Sequence, residues 1–336
     1  MKICLYLEFY HFLGGKFYKK IGTGLLSSYK NQMVILKHLG IEYTDKWDDS
    51  CDILQINTPW LKSIWLIKKA KSKGKKVIIW AHVTAEDIRG VFRFSGFLSV
   101  LAKIYLKYAY GQADMVFCPS EYTKSLLVAY GLPAEKLRAQ SNGVDLKKFY
   151  KDEMRGELAR RQYSLSGVVI GNIGLAIPRK GINTFLYLAE KFPGNRFMWY
   201  GKIYNPLFVK ALPKTIPANV NFTGYVDDVL AAFNSLDIFI FPSYEENQGM
   251  VILEAAALGL PILVRDIPVY RGWLVHEQNC LKAKNDDEFR ICLDRLLKDA
   301  DLRKRLGEQA QKLAEENSLP VMAAKTMDIY QKLLKP

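Results

Sequence analysis

The sequence has no long uninterrupted apolar segment, and this argues against a membrane-spanning protein. No run reaches the roughly 18 consecutive apolar residues that a transmembrane helix requires. The first residues, Met1–Glu8, become acidic too early for a secretion signal and are typical of a buried strand. We therefore expect a cytoplasmic protein, which can still lie peripherally on the inner face of the cell membrane.

Cysteine is scarce and scattered along the chain. The five cysteines form no CxxC pair, and their odd number fits neither a disulfide framework nor a zinc site. We expect small buried thiols in a reducing compartment. No cluster of metal-ligating side chains stands out, so neither a metal nor another cofactor is predicted.

Acidic residues are under-represented in the first half only. Residues 1–150 contain 23 Lys and Arg against 12 Asp and Glu, a net charge of +11. Residues 151–336 contain 25 against 22, a net charge of +3. A basic field this uneven indicates an anionic partner, which can be nucleic acid, phospholipid head groups or an acidic substrate.

The chain does contain a regular alternation of short apolar runs and longer helical patterns, typical of parallel sheets with crossover helices. Strands are predicted at 2–8, 52–57, 76–81, 114–118, 167–173, 196–200, 219–223, 237–241 and 261–264. Helices are predicted near 23–39, 60–73, 96–110, 121–130, 180–191, 227–234, 250–258, 286–298, 301–315 and 320–333.

Because this pattern starts twice, we predict an α/β fold of two doubly wound Rossmann-like domains, 1–150 and 151–336. The boundary is expected in the polar stretch 145–166, and the final helix is a candidate for crossing back to the first domain. Two such domains leave a cleft between the carboxyl ends of their sheets, where ligands of open α/β sheets bind.

The most informative segment covers residues 241–255. A buried strand leads into a polar loop, and a helix begins near Gly249. The unpaired first-turn N–H groups of that helix favour an anion such as a diphosphate. Glu246 on the loop and Glu254 in the helix can accept hydrogen bonds from ligand hydroxyls. Taken singly, each glutamate is better explained as acidic capping of a helix start.

As a whole, the segment resembles the E-x7-E signature of glycosyltransferase family 4, here Glu246 to Glu254, followed by a run of small residues. The resemblance implies a retaining glycosyltransferase of the GT-B fold that uses a nucleotide-activated sugar. It implies that Glu254 binds the ribose hydroxyls and that Glu246 contacts the donor sugar. The backbone N–H groups of Gly249, Met250 and Val251 would hold the diphosphate.

Shorter segments follow the family's order. Residues 119–124 and 142–145 resemble its P-S-x-x-x-K and N-G-V-D segments at the inter-domain hinge. Arg179-Lys180-Gly181 resembles its K-G turn, which implies that Lys180 neutralises the diphosphate as the leaving group departs. Alone, Lys180 would be interpreted as a solvated lysine at a helix start.

One position departs from the family pattern. Many relatives carry an arginine six residues before the lysine of the K-G turn, where this chain has Gly174. Arg179 is the candidate replacement for that arginine, and it is predicted to bind the donor together with Lys180.

Two features of the first domain belong to the same predicted cleft. Gly22 and Gly24 open a helix and resemble the family's loop that approaches the diphosphate, although a plain helix cap explains them too. His82 follows the strand 76–81 directly and occupies the family's cleft histidine position. The alternative for a single histidine is a satisfied structural role.

Basic helices with aromatic residues occupy 60–110. Residues 60–76 contain two tryptophans and seven lysines, and 89–110 contain Lys103 and Lys107 one turn apart among aromatic and apolar side chains. Such helices are typical of anionic membrane surfaces. A helix that faces the core with solvated lysines is the alternative.

Several segments outside these motifs resemble the bacterial α-galactosyl- and α-glucosyl-(glucosyl)diacylglycerol synthases. They are residues 1–8, 41–44, 56–58, 81–89 and 265–273. This resemblance implies transfer of glucose or galactose from UDP-glucose or UDP-galactose to a membrane glycolipid, monoglucosyl-diacylglycerol. It places Glu86 and Asp87 near the acceptor.

Other functions remain open at this stage. The same chemistry can serve a polysaccharide, polyprenyl-linked or wall-polymer acceptor. A non-catalytic scaffold that binds nucleotide-sugar or membrane is the alternative of another class. Charge alone suggests a nucleic-acid binder, but no nucleic-acid-binding motif accompanies it, so no nucleic acid is expected as a partner.

Overall fold

A computed structural model describes residues 1–8, 24–88, 95–203 and 215–335. The described residues form two parallel six-stranded sheets, each covered by helices on both faces. These sheets correspond to the two Rossmann-like domains that the repeated sequence pattern predicts.

The first domain alternates strands and helices along the chain. Its elements are β1 (Lys2–Tyr6), α1 (Gly24–His38), β2 (Glu42–Thr44), β3 (Ile53–Ile56), α2 (Leu61–Ser72), β4 (Lys76–Trp80), α3 (Ser95–Gly111), β5 (Met115–Cys118), α4 (Glu121–Ala129) and β6 (Leu137–Ala139). The strand order is β2-β1-β3-β4-β5-β6, and all pairs are parallel.

The second domain repeats the arrangement. Its elements are α5 (Glu153–Gln162), β7 (Val169–Ile173), α6 (Ile182–Lys191), β8 (Arg196–Tyr200), β9 (Val220–Gly224), α7 (Val229–Asn234), β10 (Ile238–Phe241), α8 (Met250–Ala257), β11 (Ile262–Arg265), β12 (Leu281–Ala283), α9 (Asp286–Lys298), α10 (Ala300–Glu316) and α11 (Leu319–Leu334). The order β12-β11-β10-β7-β8-β9 reverses direction between β7 and β10, the position where doubly wound sheets bind ligands.

Alternation along each central strand divides the core between the two faces of the sheet. In β4, Val77 and Ile79 pack on one face, whereas Ile78 and Trp80 pack on the other. Because successive strand side chains point to opposite faces, strands covered on both sides are apolar throughout. The five cysteines are all buried and unpaired, as their scatter predicted.

The polar stretch 145–166, in which the domain boundary is predicted, contains the helix α5. Only Gly156 and Ala159 of α5 are buried. A Cβ on Gly156 would lie 2.4 Å from the backbone oxygen of Asn234, so α5 packs against α7 through its smallest residue. A helix this polar gives almost no apolar period, and the sequence pattern therefore missed it.

The last helix, α11, packs on the first domain although it follows the second in sequence. Tyr330 is buried in the core of the first domain, and its hydroxyl donates to Gln55 Oε1 at 2.5 Å. Gln140 Nε2 donates to the backbone oxygen of Met322 at 3.3 Å. The chain thus crosses between the domains twice, and α11 fastens them together.

Candidate active site

The loops at the carboxyl ends of the two sheets meet at one place. His82 follows β4, Lys180 lies between β7 and α6, and Glu246 lies between β10 and α8. Asn247 Nδ2 donates to the backbone oxygen of His82 at 3.0 Å, which brings the two domains into direct contact. The cleft that the fold predicts is therefore built from these three loops.

The helix α8 begins at a glycine that its backbone requires. Gly249 has φ +84°, and a Cβ there would lie 3.1 Å from Ile252 Cδ1. Within the described part of the chain, no hydrogen bond uses the N–H of Met250 or Val251. Together with the positive end of the helix dipole, these two donors form a place for an anionic group.

A buried ion pair stands beside this helix start. Lys180 Nζ donates to Glu246 Oε1, which also accepts from Ser243 Oγ at 2.6 Å. Arg179 Nη1 lies 4.0 Å from the same carboxylate oxygen and 3.8 Å from Asp87 Oδ1. Two cations and two carboxylates therefore share the space between the domains.

The protonation of this cluster follows from burial and pairing. Burial lowers the pKa of Lys180, although Glu246 opposes that shift. Burial acts to raise the pKa of Glu246, but the charges of Lys180 and Arg179 outweigh it and hold that pKa below its usual range. Glu246 is therefore ionised near neutral pH and forms an ion pair with Lys180.

Two glycines explain why the charged residues sit where they do. Gly181 has φ +80°, and a Cβ there would lie 2.1 Å from the backbone oxygen of Pro242, so the turn after Lys180 abuts the loop that carries Glu246. Gly174 has φ +151°, which disfavours a side chain. Arg179 stays the predicted replacement for the arginine that many relatives carry at position 174.

Glu254, on α8, is a half-buried carboxylate. Among the described residues it has no hydrogen-bond or ion-pair partner. Burial raises its pKa to about 7, although the charge of Lys148 opposes that shift. A desolvated carboxylate of this kind is suited to accept hydrogen bonds from ligand hydroxyls, which would replace the lost water.

His82 is held by neighbours in the first domain. Its Nε2 lies 3.3 Å from Ser28 Oγ and 3.2 Å from Asn57 Oδ1, and its ring stacks on Trp80 with the centroids 5.4 Å apart. Burial lowers the pKa of His82 to about 3. The imidazole is therefore neutral, so it can take part in hydrogen bonds but carries no charge.

The carboxylates proposed for the acceptor are engaged in the protein. Asp87 Oδ2 accepts from Thr84 N at 2.9 Å, Thr84 Oγ1 at 3.1 Å and Asn247 Nδ2 at 2.6 Å, so it joins the two domains. Glu86 accepts from the hydroxyl of Tyr130. Both lie on the cleft side of the first domain, near Arg179 or Glu245.

The structure thus brings His82, Asp87, Arg179, Lys180 and Glu246 together around one inter-domain contact. Gly249, Met250, Val251 and Glu254 follow on the same loop and helix. Gly24 is the first, exposed residue of α1, and Gly22 lies outside the described residues.

Sequence reasoning missed several polar residues of this site. Asn247 and Gln248 lie inside the E-x7-E segment, yet they are the residues that reach the first domain. Glu245, whose pKa is raised to about 7 by burial and by Asp87, was passed over as well. The sequence did contain a signal for Asn247 and Gln248, because polar residues are concentrated between Glu246 and the start of the helix.

The fold and this charged inter-domain site define a glycosyltransferase of the GT-B type. Residues 28–148 match the model of Glycosyltransferase Family 4, and residues 161–313 match that of Glycosyl transferases group 1. The chain belongs to glycosyltransferase family 4.

Relatives at full length are enzymes of glycolipid synthesis. The processive diacylglycerol alpha-glucosyltransferase of Acholeplasma laidlawii is 32% identical, over 100% of this chain and 99% of that protein. The alpha-galactosylglucosyldiacylglycerol synthase of Streptococcus pneumoniae is 26% identical, over 94% of this chain and 84% of the relative.

Solved structures share the fold at low sequence identity. HepE of Anabaena in complex with UDP-glucose superposes with a TM-score of 0.73 at 16% identity, over 99% of this chain and 100% of that chain. WaaG, a glycosyltransferase of lipopolysaccharide biosynthesis, gives a TM-score of 0.67 at 17% identity, over 98% of both chains.

Proposed function

We propose that the protein transfers a glucose or galactose residue from a UDP-sugar to a hydroxyl of a membrane glycolipid, monoglucosyl-diacylglycerol, with retention of anomeric configuration. The observation that carries this proposal is the pairing of Lys180 with Glu246 beside the open N-terminus of α8. That arrangement offers positive charge for a diphosphate and a carboxylate for sugar hydroxyls at one place.

The donor would lie along α8 and the K-G turn. Glu254 would accept hydrogen bonds from the ribose, and the N–H groups of Met250 and Val251 would hold the diphosphate with Lys180 and Arg179. Glu246 and His82 would contact the sugar, and Gly24 at the start of α1 would approach the donor from the first domain. The complex of HepE with UDP-glucose, which shares this fold, supports a UDP-sugar as donor.

Retention would proceed at the front face of the sugar. The bond between the anomeric carbon and the diphosphate oxygen breaks, and the acceptor oxygen bonds to the same face of that carbon. The acceptor proton passes to the departing phosphate oxygen. Glu246 and Glu254 are thus binding residues and not the acid and nucleophile of a glycoside hydrolase.

No metal or other cofactor is required in this proposal. Lys180, Arg179 and the N-terminus of α8 supply the positive charge that the departing diphosphate demands. The contacts between the domains at Asn247 would exclude water around the transferred sugar and limit hydrolysis.

The proposed glycolipid acceptor is supported by the relatives and by two carboxylates that face the cleft. Relatives named for glucosyl or galactosyl transfer to diacylglycerol lipids cover nearly all of this chain. Glu86 and Asp87 face the cleft from the first domain, where a sugar hydroxyl would approach.

The surface of α3 supports a peripheral position on an anionic membrane. Leu106, Ala109 and Tyr110 are buried, so they mark the face toward the core. The opposite face is apolar as well and exposed; it consists of Phe97, Val100, Leu101, Ile104 and Tyr108. A helix with two apolar faces needs a second cover, which a bilayer interface provides.

The neighbouring helix extends this surface. Tyr105 donates to the backbone oxygen of Pro59 just before α2, where Trp60, Leu61 and Trp65 are exposed. Exposed Lys103 and Lys107 lie beside the apolar face of α3 and suit anionic head groups. Phe92 and Phe94, part of the same sequence prediction, lie outside the described residues. No helix among those described is long and apolar enough to span a bilayer.

The decisive experiment mixes the purified protein with UDP-glucose or UDP-galactose and vesicles of anionic phospholipid that contain monoglucosyl-diacylglycerol. We expect a dihexosyl lipid with a new α-linkage, detected by mass spectrometry and NMR. Glu254→Gln should lower this activity, whereas Glu157→Gln, an exposed carboxylate on α5, should leave it unchanged. Consumption of sugar nucleotide without a lipid product would reject the acceptor, and no turnover would reject the proposal.

A further inference from the structure

The hydrogen bonds around His82 determine which ring nitrogen carries its proton. An imidazole nitrogen can donate or accept, so the neighbouring groups decide between the two tautomers. Nε2 of His82 has two such neighbours, Ser28 Oγ and Asn57 Oδ1. At each neighbour, a nearby backbone group determines which atom donates and which accepts. A backbone N–H can only donate, and a backbone C=O can only accept.

On one side the starting point is a backbone N–H. Asn142 N donates to the Gln248 side chain at 3.0 Å, so the atom it meets is the oxygen Oε1. The Asn142 side-chain atom 2.7 Å from that oxygen must then be its nitrogen. Asn142 Oδ1 therefore faces Ser28 Oγ at 2.6 Å, and Ser28 donates its only proton there. Toward His82, Ser28 can only accept.

On the other side the starting point is a backbone oxygen. Asn57 Nδ2 donates to the carbonyl of Tyr6 at 3.4 Å, and a flipped amide would place two oxygens against each other. Asn57 Oδ1 therefore turns inward, where it accepts from Gln32 Nε2 at 2.6 Å. Toward His82, Asn57 also can only accept.

Both neighbours of Nε2 are acceptors, so Nε2 carries the proton and Nδ1 has a free lone pair. Ser28, Gln32, Asn57 and Asn142 are all at least 95% buried, so water does not compete in this network. Burial also keeps the ring neutral, with a pKa of about 3. No hydrogen bond from the described residues reaches Nδ1, and the side chain is only half-buried.

We propose that Ser28 and Asn57 are positioning residues that hold His82 as the Nε2–H tautomer, so that Nδ1 accepts a hydrogen bond from a hydroxyl of the sugar substrate. The second half of this inference rests on the proposed function. The stacking of the ring on Trp80, with an interplanar angle of 8°, fixes the direction of the Nδ1 lone pair.

The first test is NMR of the full-length protein labelled with ¹⁵N-histidine. The chain has four histidines, and the spectrum of His82→Gln identifies the signals of His82. We expect a neutral ring with its proton on Nε2 that does not titrate between about pH 5 and pH 8. A proton on Nδ1, or a ring that titrates in this range, would overturn the proposal.

Variants then separate positioning from structure. Asn57→Asp places a carboxylate beside Nε2–H and should bring the pKa of His82 into the measurable range, so that kcat falls as pH decreases and recovers as it rises. Should that variant fold poorly, Ser28→Ala removes one of the two acceptors and should raise the population of the Nδ1–H tautomer in the spectrum, although Asn57 still favours Nε2–H. An unchanged spectrum in Ser28→Ala would contradict its role.

Substitution of the ring itself tests Nδ1. The amide oxygen of Asn reaches the position of Nδ1, whereas the amide of Gln reaches that of Nε2. His82→Asn should therefore keep at least about tenfold more kcat than His82→Gln, a difference of about 1.4 kcal/mol. The reverse order would overturn the role of Nδ1. A ring with the predicted tautomer in a protein without transferase activity would reject the proposed function and still support the tautomer.

Discussion

The two halves of the cleft have the same architecture and different chemistry. The loops of the second domain carry paired charges, with Lys180 and Arg179 around Glu246. The facing edge of the first domain presents hydrogen-bonding groups, namely the neutral His82 between Ser28 and Asn57, together with the carboxylate of Asp87 near Arg179. Since both sheets are parallel and doubly wound, the topology does not set this difference. The difference lies in the side chains: those of the second domain suit phosphate charge, and those of the first domain suit hydroxyl groups.

The largest effect is expected when charge is removed from the second domain, and this change tests whether that domain binds the phosphate charge. Lys180→Gln should lower kcat about 100- to 1000-fold, because the change removes a buried cation that we propose stabilises leaving-group charge. Gln can still donate to Glu246, so the fold should persist. Steady-state kinetics, with the melting temperature as a check, measure the effect.

The matched control for that change is Lys298→Gln, an exposed lysine in an ion pair on α9. It should alter neither kcat nor stability measurably. A Lys180→Gln enzyme with full activity would remove this lysine from the mechanism and place the charge stabilisation elsewhere.

A smaller effect is expected at Glu254, which we propose binds the ribose of the nucleotide. Burial raises the pKa of this carboxyl to about 7, so in the free enzyme it is protonated below that pH and ionised above it. Since the carboxylate is the better acceptor for ribose hydroxyls, the donor KM should fall as pH rises through about 7. Glu254→Gln should raise KM about 10- to 100-fold and abolish this pH dependence.

Glu245 provides the control because burial raises its pKa to about 7 as well. Glu245→Gln should keep the pH dependence of the donor KM. If Glu245→Gln removes that dependence and Glu254→Gln preserves it, Glu245 and not Glu254 is the carboxylate that binds the ribose.

The next prediction concerns the outer side of the first domain, where we propose that the exposed apolar face of α3 binds the membrane. Phe97→Ser with Ile104→Ser, both on the exposed apolar face of α3, should weaken binding to anionic vesicles about tenfold or more in a sedimentation assay. Met154→Ser with Leu158→Ser changes an equally exposed pair on α5 of the second domain and should leave binding intact. Equal losses in both variants would argue against a specific membrane face.

The smallest expected effect is that of a chelator. If basic groups and the start of α8 carry the diphosphate charge, EDTA should leave kcat unchanged in the assay with vesicles. Activity that EDTA abolishes and Mg²⁺ restores would show that the second domain does not neutralise the leaving group alone.

Part of the fold could be predicted because its signals are local. Apolar runs such as those of β4 and β10, with helical patterns between them, identify a doubly wound sheet that starts twice. The strands β2, β6 and β12 were missed because three residues show no period. The polar helix α5 was missed because its contact with α7 depends on Gly156, whose role no hydropathy pattern reveals.

The sequence by itself determined the family motif, the two-domain α/β class and the residue types at the cleft. The tertiary structure alone decided which of these residues meet. Lys180 and Glu246 are separated by 66 residues and Ser28 and Asn142 by 114, and such contacts leave no periodic trace. The same holds for α3, where both faces are apolar and only packing shows which one the core covers. Hydrophobic periodicity reports burial within one element, whereas a site is made by side chains that only the folded chain brings within hydrogen-bonding distance.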